Sequence, residues 1–266
     1  MPRLRLTIEY AGTRYSGWQI QNNARTIAGE IDRAVRTITG RHDFELYGSG
    51  RTDAGVHASA QVAHLDVATH LPPASLRRAL NDELPADINV LDVQVVPHRF
   101  HARHSAVGRR YLYQIATRRT AFAKPFVWWV KEPLNLPAMR DATRQFVGMR
   151  DFQSFAADDD GGGRERSTLV LIDRLDLVEA GDLVLVVAEG SHFLWKMVRR
   201  IVGVLVEIGR GGLPIDQAAT LLATKSNLPA RLTAPASGLF LDRVYYAGEP
   251  RAPDVTPATP LNRSLR

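Results

Sequence analysis

The chain contains no cysteine, which removes disulfides, thiolate metal centres and a cysteine nucleophile at one stroke. No apolar run approaches the roughly 20 residues that cross a bilayer. The opening MPRLRLTIEY goes straight into an alternating pattern with no apolar leader core, so a signal peptide is not expected. Together these absences predict a soluble, cytoplasmic protein. Lysine is also scarce: apart from Lys124, Lys131, Lys196 and Lys225, every basic side chain counted among the 34 Lys and Arg is an arginine. The chain has no phosphate-binding P-loop, no dinucleotide fingerprint, no HExxH and no GxSxG, so the enzyme classes that depend on them lose their support.

The sequence has 266 residues, 45% of them hydrophobic, and a net charge of +6. That is enough apolar material for a sizeable core in one large or two ordinary domains. Arginine pairs bidentately with phosphate and stacks on bases, so its dominance agrees with a nucleic-acid partner, although a GC-rich genome would produce the same bias. Residues 3–10 alternate Leu4, Leu6, Ile8 and Tyr10 with polar neighbours, a half-buried strand. Ile27, Ile31, Val35 and Ile38 fall at helical spacing between a Thr26 cap and Gly40. Further strands are expected over 44–47, 61–67, 88–96, 109–117, 127–130, 168–179, 183–191 and 238–246. Helices are expected over 73–83, 136–148, 191–209 and 214–223. The predicted class is α+β: a mostly antiparallel sheet from two similar halves, helices packed on one side, and an active-site cleft between the halves. The halves are expected at 1–103 and 104–248, with a disordered tail over 249–266.

One stretch stands apart, GSGRTDAGVHA at 48–58. Gly48, Gly50 and Gly55 allow positive φ and close approach to another surface. In an extended segment Arg51 and Asp53 share a face, which would pair the guanidinium with the carboxylate and keep the acid ionised. An ionised aspartate can serve as nucleophile or general base. The bland alternative is a tight turn carrying a surface ion pair. His57 reads as a structural or RNA-contacting residue rather than an assistant to Asp53. Downstream, Arg109, Arg110, Tyr111 and Tyr113 interleave cations with aromatics, as a flipped or single-stranded base would need; an ordinary amphipathic strand looks the same. Lys196, Arg199 and Arg200 crowd the start of an apolar-striped helix, against its dipole, and call for a buried acid or a phosphate. The acidic and Gly-rich run at 158–163 reads as a solvated loop.

GSGRTDAGVHA, with Tyr10-Ala11-Gly12-Thr13, Gly17-Trp18-Gln19 and Gln21-Asn22 before it, resembles the tRNA pseudouridine synthase A family. Five further motifs follow in register: Asn81 with Leu84-Pro85-Ala86-Asp87-Ile88, FHARHSAVGRRYLY at 100–113, Gly148 to Phe152, MVRRIVG at 197–203, and Ala234 to Leu241. The resemblance spans about residues 4–246. It implies isomerisation of uridine to pseudouridine at positions 38, 39 and 40 of the tRNA anticodon stem-loop, with no cofactor, no metal and a homodimer. It makes Asp53 the catalytic acid or nucleophile, packs Tyr111 on the target base, and pairs Arg199 with Asp53. Arg51 is a further substrate-binding candidate. Arg14, Arg77, Arg78, Arg103 and Arg110 are expected to follow the phosphates. Two departures stand out: the run before Ser167-Thr168, expected to point away from the tRNA, and Asp82-Glu83 after Asn81. A non-catalytic RNA-binding protein and a metal-dependent hydrolase using Asp53, His57 and Asp158 to Asp160 are the competing readings.

Overall fold

The computed structural model describes residues 1–157 and 167–261. Ten strands and six α-helices run through the described residues in a mixed order, giving an α+β protein with mostly antiparallel pairing. The run at 158–163 lies outside the described residues. The chain divides into two compact units: Met1–Val107 with Phe240–Arg251, and Gly108–Leu239 with the chain from Ala252 on.

In the first unit β1 (Arg3–Tyr10) is followed by a single 3-10 turn, Gly12–Arg14, and then by α1 (Ile27–Thr39). Next come β2 (Glu45–Gly48), β3 (His57–Asp66), α2 (Pro73–Glu83) and β4 (Ile88–Val96). β1 lies between β4 and β3, antiparallel to both. Its alternation is realised: Leu4, Leu6, Ile8 and Tyr10 are all buried. Thr26 caps α1 by accepting from the Gly29 N–H at 3.2 Å, and Gly40 ends the helix at φ +64°. α1 buries Ile27, Ile31, Ala34 and Val35, and α2 buries Leu76 and Leu80. Asn81, near the end of α2, bonds the Val90 backbone both ways, at 3.0 and 2.7 Å, fixing that helix to β4.

The second unit opens at β5 (Ala106–Ala116), whose first residues bridge the boundary. It continues through β6 (Trp128–Trp129), α3 (Leu136–Phe146), β7 (Gly148–Asp151), β8 (Leu169–Ala180) and β9 (Leu183–Gly190). α4 (Met197–Gly209), α5 (Gln217–Ala223) and α6 (Leu228–Arg231) follow. Strand order is β5-β9-β8-β7, antiparallel throughout, with β6 added parallel to β5. β9 is buried along its whole length, as its unbroken LVLVVA run requires. Phe146, Phe152 and Phe155 pack together with ring centroids 5.4–6.4 Å apart.

Three departures from the sequence reading go beyond a shift of a few residues at an element's end. β10 (Leu239–Tyr246) returns to the first unit, pairing Phe240 and Leu241 in parallel with His57 and Ala58 of β3. A pairing across 183 residues leaves no local trace in sequence. α4 starts at Met197 because Lys196 takes φ +61° and breaks the apparent helical stripe from 191. Residues 249–261 are not the free tail that composition predicts: Arg110 donates to the Ala252 and Asp254 carbonyls, and the Gln114 amide bonds Ala258 and Thr259. Polar groups buried on β5 need partners, and this segment supplies them.

The first unit also carries a pH-sensitive packing feature. His64 is fully buried, accepts from the Ala102 N–H at 3.2 Å, and lies 4.7 Å from the His101 ring. Burial, followed by the charge of Arg3, pushes its pKa below the ordinary 6.5. Below that value the unfolded chain binds a proton that the folded chain refuses, so folding free energy declines as pH falls from 6.5. Denaturant melts between about pH 7 and 5 should show this decline, and His64→Asn, which keeps an acceptor for Ala102, should flatten it.

Candidate active site

The 48–58 stretch joins β2 to β3, and its two ends are fixed by polar contacts. The Ser49 N–H donates to Val62 O at 2.7 Å, and the Ser49 hydroxyl to Gln61 Oε1 at 2.7 Å. Gln61 Nε2 donates to Gly50 O at 3.1 Å. Further along, Thr52 shares a 2.8 Å hydrogen bond with the Tyr10 hydroxyl, and its carbonyl accepts from the Trp18 N–H at 3.1 Å. The Gly55 N–H reaches Tyr15 O at 3.3 Å, and the Val56 N–H closes a turn on Asp53 O at 3.1 Å. Asp53 is half-buried at the apex, with Ser49, Thr52 and Val56 buried around it.

The segment that grips this loop is the polar stretch after β1. A Cβ on Gly12 would lie 1.9 Å from Val56 O, and one on Gly17, at φ +88°, 2.4 Å from Thr52 O. Gly48 has the Trp18 indole 2.6 Å from where its Cβ would stand. Tyr15 holds the same segment from behind, its hydroxyl donating to Asp87 Oδ1. Burial and that bond push the Tyr15 pKa far above the ordinary 10.0, so it stays a neutral donor. Sequence reasoning singled out neither Tyr15 nor Trp18 as part of this clamp, although both sit in the stretch that carried the resemblance.

Two expectations about the loop change. Gly55 has the positive φ (+79°) and Gly48 the close approach, but Gly50 has neither, with nothing within 4 Å of its would-be Cβ. Arg51 is exposed and, among the described residues, makes no ion pair or hydrogen bond with Asp53. The segment turns at Asp53–Val56 instead of running extended, so alternate residues do not share a face. His57 is fully buried, its Nδ1 accepting from the Gly12 N–H at 3.1 Å and its ring stacked on Phe240 at 4.8 Å. That bond leaves the neutral ring's proton on Nε2, a structural assignment.

Tyr111 and Arg199 belong to the second unit, Asp53 and Arg51 to the first. Tyr111 lies on β5 opposite Ala188, half-buried, with its ring edge-on to Phe193 at 5.1 Å. Phe193 was missed because its segment was read as helix. Arg199, on the first turn of α4, donates from Nε to Ala234 O at 2.7 Å and accepts from the Ala234 N–H at its own carbonyl at 3.0 Å. The helix comes this close to residues 232–234 because position 203 is glycine: a Cβ there would lie 1.7 Å from Leu232 O. Tyr113 is fully buried and donates to Pro235 O at 2.8 Å, and burial pushes its pKa well above the ordinary 10.0.

Arg110 is not available to a phosphate. It is buried on β5, 3.7 Å from Glu189 on the neighbouring strand, with two guanidinium nitrogens on the tail carbonyls. The cations at the start of α4 have backbone and aromatic partners: Arg199 on Ala234 O, Arg200 on Ala156 O, and Lys196 over the Trp195 ring at 4.5 Å. Arg14, Arg77, Arg78 and Arg103 are exposed, as a phosphate-facing role requires.

A family model described as tRNA pseudouridine synthase matches residues 6–105 and 142–247. The tRNA pseudouridine synthase A of Rhodopseudomonas palustris (strain BisA53) is 42% identical over 249 residues, covering 92% of this chain and 100% of that protein. Its counterpart in Syntrophotalea carbinolica is 43% identical over 249 residues, covering 93% and 97%. That of Nitrobacter winogradskyi is 41% identical over 251 residues, covering 93% and 97%.

The glycine contacts give a paired test. Gly12→Ala must displace the Val56 carbonyl and should destabilise the protein by about 1–3 kcal/mol. Gly50→Ala, with open space around it, should be nearly neutral. Urea midpoints of the two variants should separate clearly; equal midpoints would mean that the loop is not gripped as described.

Proposed function

The chain belongs to the tRNA pseudouridine synthase family, and from that premise we propose that it isomerises uridine to pseudouridine at positions 38, 39 and 40 of the tRNA anticodon stem-loop, with Asp53 as the catalytic carboxylate. The observation that carries the role of Asp53 is its setting. It is the half-buried acid in a loop whose neighbouring residues are anchored, through backbone or side chain, to β1, β3 or the 12–18 segment. A group held in this way loses little freedom when substrate arrives, which is what catalytic positioning requires.

The reaction breaks the N1–C1′ bond, turns the uracil, and forms a C5–C1′ bond. C5 gives up its hydrogen as a proton and N1 gains one, so the nucleoside formula is unchanged. No external electron carrier is needed. Inside a stem the reacting atoms are out of reach, so the nucleotide must leave the stack. Asp53 then acts on the flipped nucleotide as nucleophile or base. Tyr111 holds the detached uracil by its ring, with Phe193 bracing that ring from the side. Arg199 assists Asp53, and the exposed Arg51 takes a phosphate. Arg14, Arg77, Arg78 and Arg103 follow the backbone. The working form is a cytoplasmic homodimer that takes tRNA as substrate. What supports these finer points is the ordered set of motifs, the family membership and the exposed arginines.

Three measurements test the reading. Asp53→Asn should lower single-turnover pseudouridine formation by about a thousandfold or more while tRNA binding persists; near-normal yield would remove Asp53 from the chemistry. Tyr111→Phe keeps the ring, so it should bind tRNA normally, and a slower turnover would assign the hydroxyl a part in proton movement. The affinity for tRNA should fall steeply with salt, with a log–log slope of about −3 or steeper if four or more phosphates are neutralised. A flat profile would contradict phosphate-led binding.

A further inference from the structure

We infer that Gln61 is a positioning residue for Asp53: its buried amide locks the entrance of the loop and so fixes where the carboxylate stands. This rests on the reading of Asp53 given above. Gln61 lies in the middle of β3, opposite Ile8 of β1, and is fully buried. A strand position of this kind is usually filled by an apolar side chain, which would cost nothing in desolvation.

The amide instead spans two consecutive loop residues. Gly50 O is an acceptor only, so the nitrogen of the amide must face it, at 3.1 Å. The oxygen is then committed to the Ser49 hydroxyl at 2.7 Å, with Ser49 itself buried. The amide orientation is thereby set by its partners, and each end holds a different residue. On the far side, Thr52 is held by the Tyr10 hydroxyl and the Trp18 N–H. Only Arg51 lies between the two clamps, and Asp53 follows directly after the second. Releasing the first clamp removes two bonds that fix the loop entrance, the one onto Gly50 O and the one from the Ser49 hydroxyl. The loop is then freer to shift, and a displacement of about 1 Å at a reacting group costs about a hundredfold in rate.

The consequence is a loss in the chemical step with little loss in binding. Single-turnover release of tritium from C5-labelled uridine in a tRNA transcript reports the chemistry, and filter binding of the same transcript reports affinity. Gln61→Leu should slow tritium release by about 10- to 100-fold, with affinity within about threefold of the parent protein. Gln61→Glu supplies a pH signature. Its neutral carboxyl can donate to Gly50 O and accept from Ser49 as the amide does, whereas the ionised form cannot donate. Its rate relative to the parent protein should therefore rise as pH is lowered from about 8 to 6. Arg51 and Asp53, the charged groups of the loop, are present in both proteins.

Tritium release by Gln61→Leu within about threefold of the parent, or a Gln61→Glu ratio that does not change with pH, would overturn the inference. If Gln61→Leu does not fold, the Gln61→Glu ratio decides. Asp53→Asn, run alongside, separates the two levels. Full activity in that variant overturns the Asp53 reading and this inference with it. An inactive Asp53→Asn beside a fully active Gln61→Leu overturns the inference alone.

Discussion

The N–H of Trp18 reaches the carbonyl of Thr52 at 3.1 Å, and it can do so because position 17 carries no side chain. The arrangement of the 48–58 loop follows from that approach. Two backbone segments, 12–18 and 52–56, lie against each other at distances that a single methyl group would prevent. Backbone groups buried in this way must find partners, and here they find them close by: Gly12 with His57, Trp18 with Thr52, Gly55 with Tyr15. Glycine costs conformational entropy wherever it stands. Gly12 and Gly17 recover that cost as hydrogen bonds that no larger residue could form.

The same device recurs in the second unit. Gly203 lets α4 approach Leu232 closely enough for Arg199 and Ala234 to exchange a backbone bond, and the Arg199 Nε then caps the Ala234 carbonyl. Gly238 makes room for the ring of Tyr113, 2.6 Å from where its Cβ would stand, while Tyr113 donates to Pro235. Each unit therefore places a candidate functional side chain beside a glycine-dependent backbone contact. The side chain inherits the rigidity of that contact, because moving it would break the hydrogen bonds that hold the contact.

How much of this could be read in the sequence depended on the range of the interaction. α1 and α2 were legible to within a residue because their signals are local: a Thr26 cap, a Gly40 stop, Pro73 in the first turn. The alternation of β1 was legible for the same reason. Asp53 was singled out because a lone acid among glycines and small residues contributes nothing to a core, and the structure places it half-buried in the loop. The start of α4 was not legible, since the apolar spacing of 191–196 imitates a helix and only the φ of Lys196 shows otherwise. Arg110 was read as a phosphate ligand because its partners, Glu189, Ala252 and Asp254, lie 79 to 144 residues further along the chain. Composition counts charges without knowing which have been taken inside.

That last point bears on the meaning of a basic protein. The net charge of +6 invites the idea of a general electrostatic attraction to RNA. Several arginines are spent on internal work. Arg3 forks onto Asp66 and also holds the His98 and Phe100 carbonyls, Arg110 ties down the tail, and Arg199 and Arg200 hold carbonyls beside α4. Arginine suits this role because its rigid fork satisfies several acceptors at once and it keeps its charge when buried. Arg14, Arg77, Arg78 and Arg103 are among the arginines that stay exposed. Each of these four stands on or beside a fixed element: Arg14 in the 12–14 turn, Arg77 and Arg78 on α2, and Arg103 in the segment that the His64 and His101 rings hold. Charge at defined points, rather than charge in bulk, is what would let such a surface distinguish one folded RNA from another.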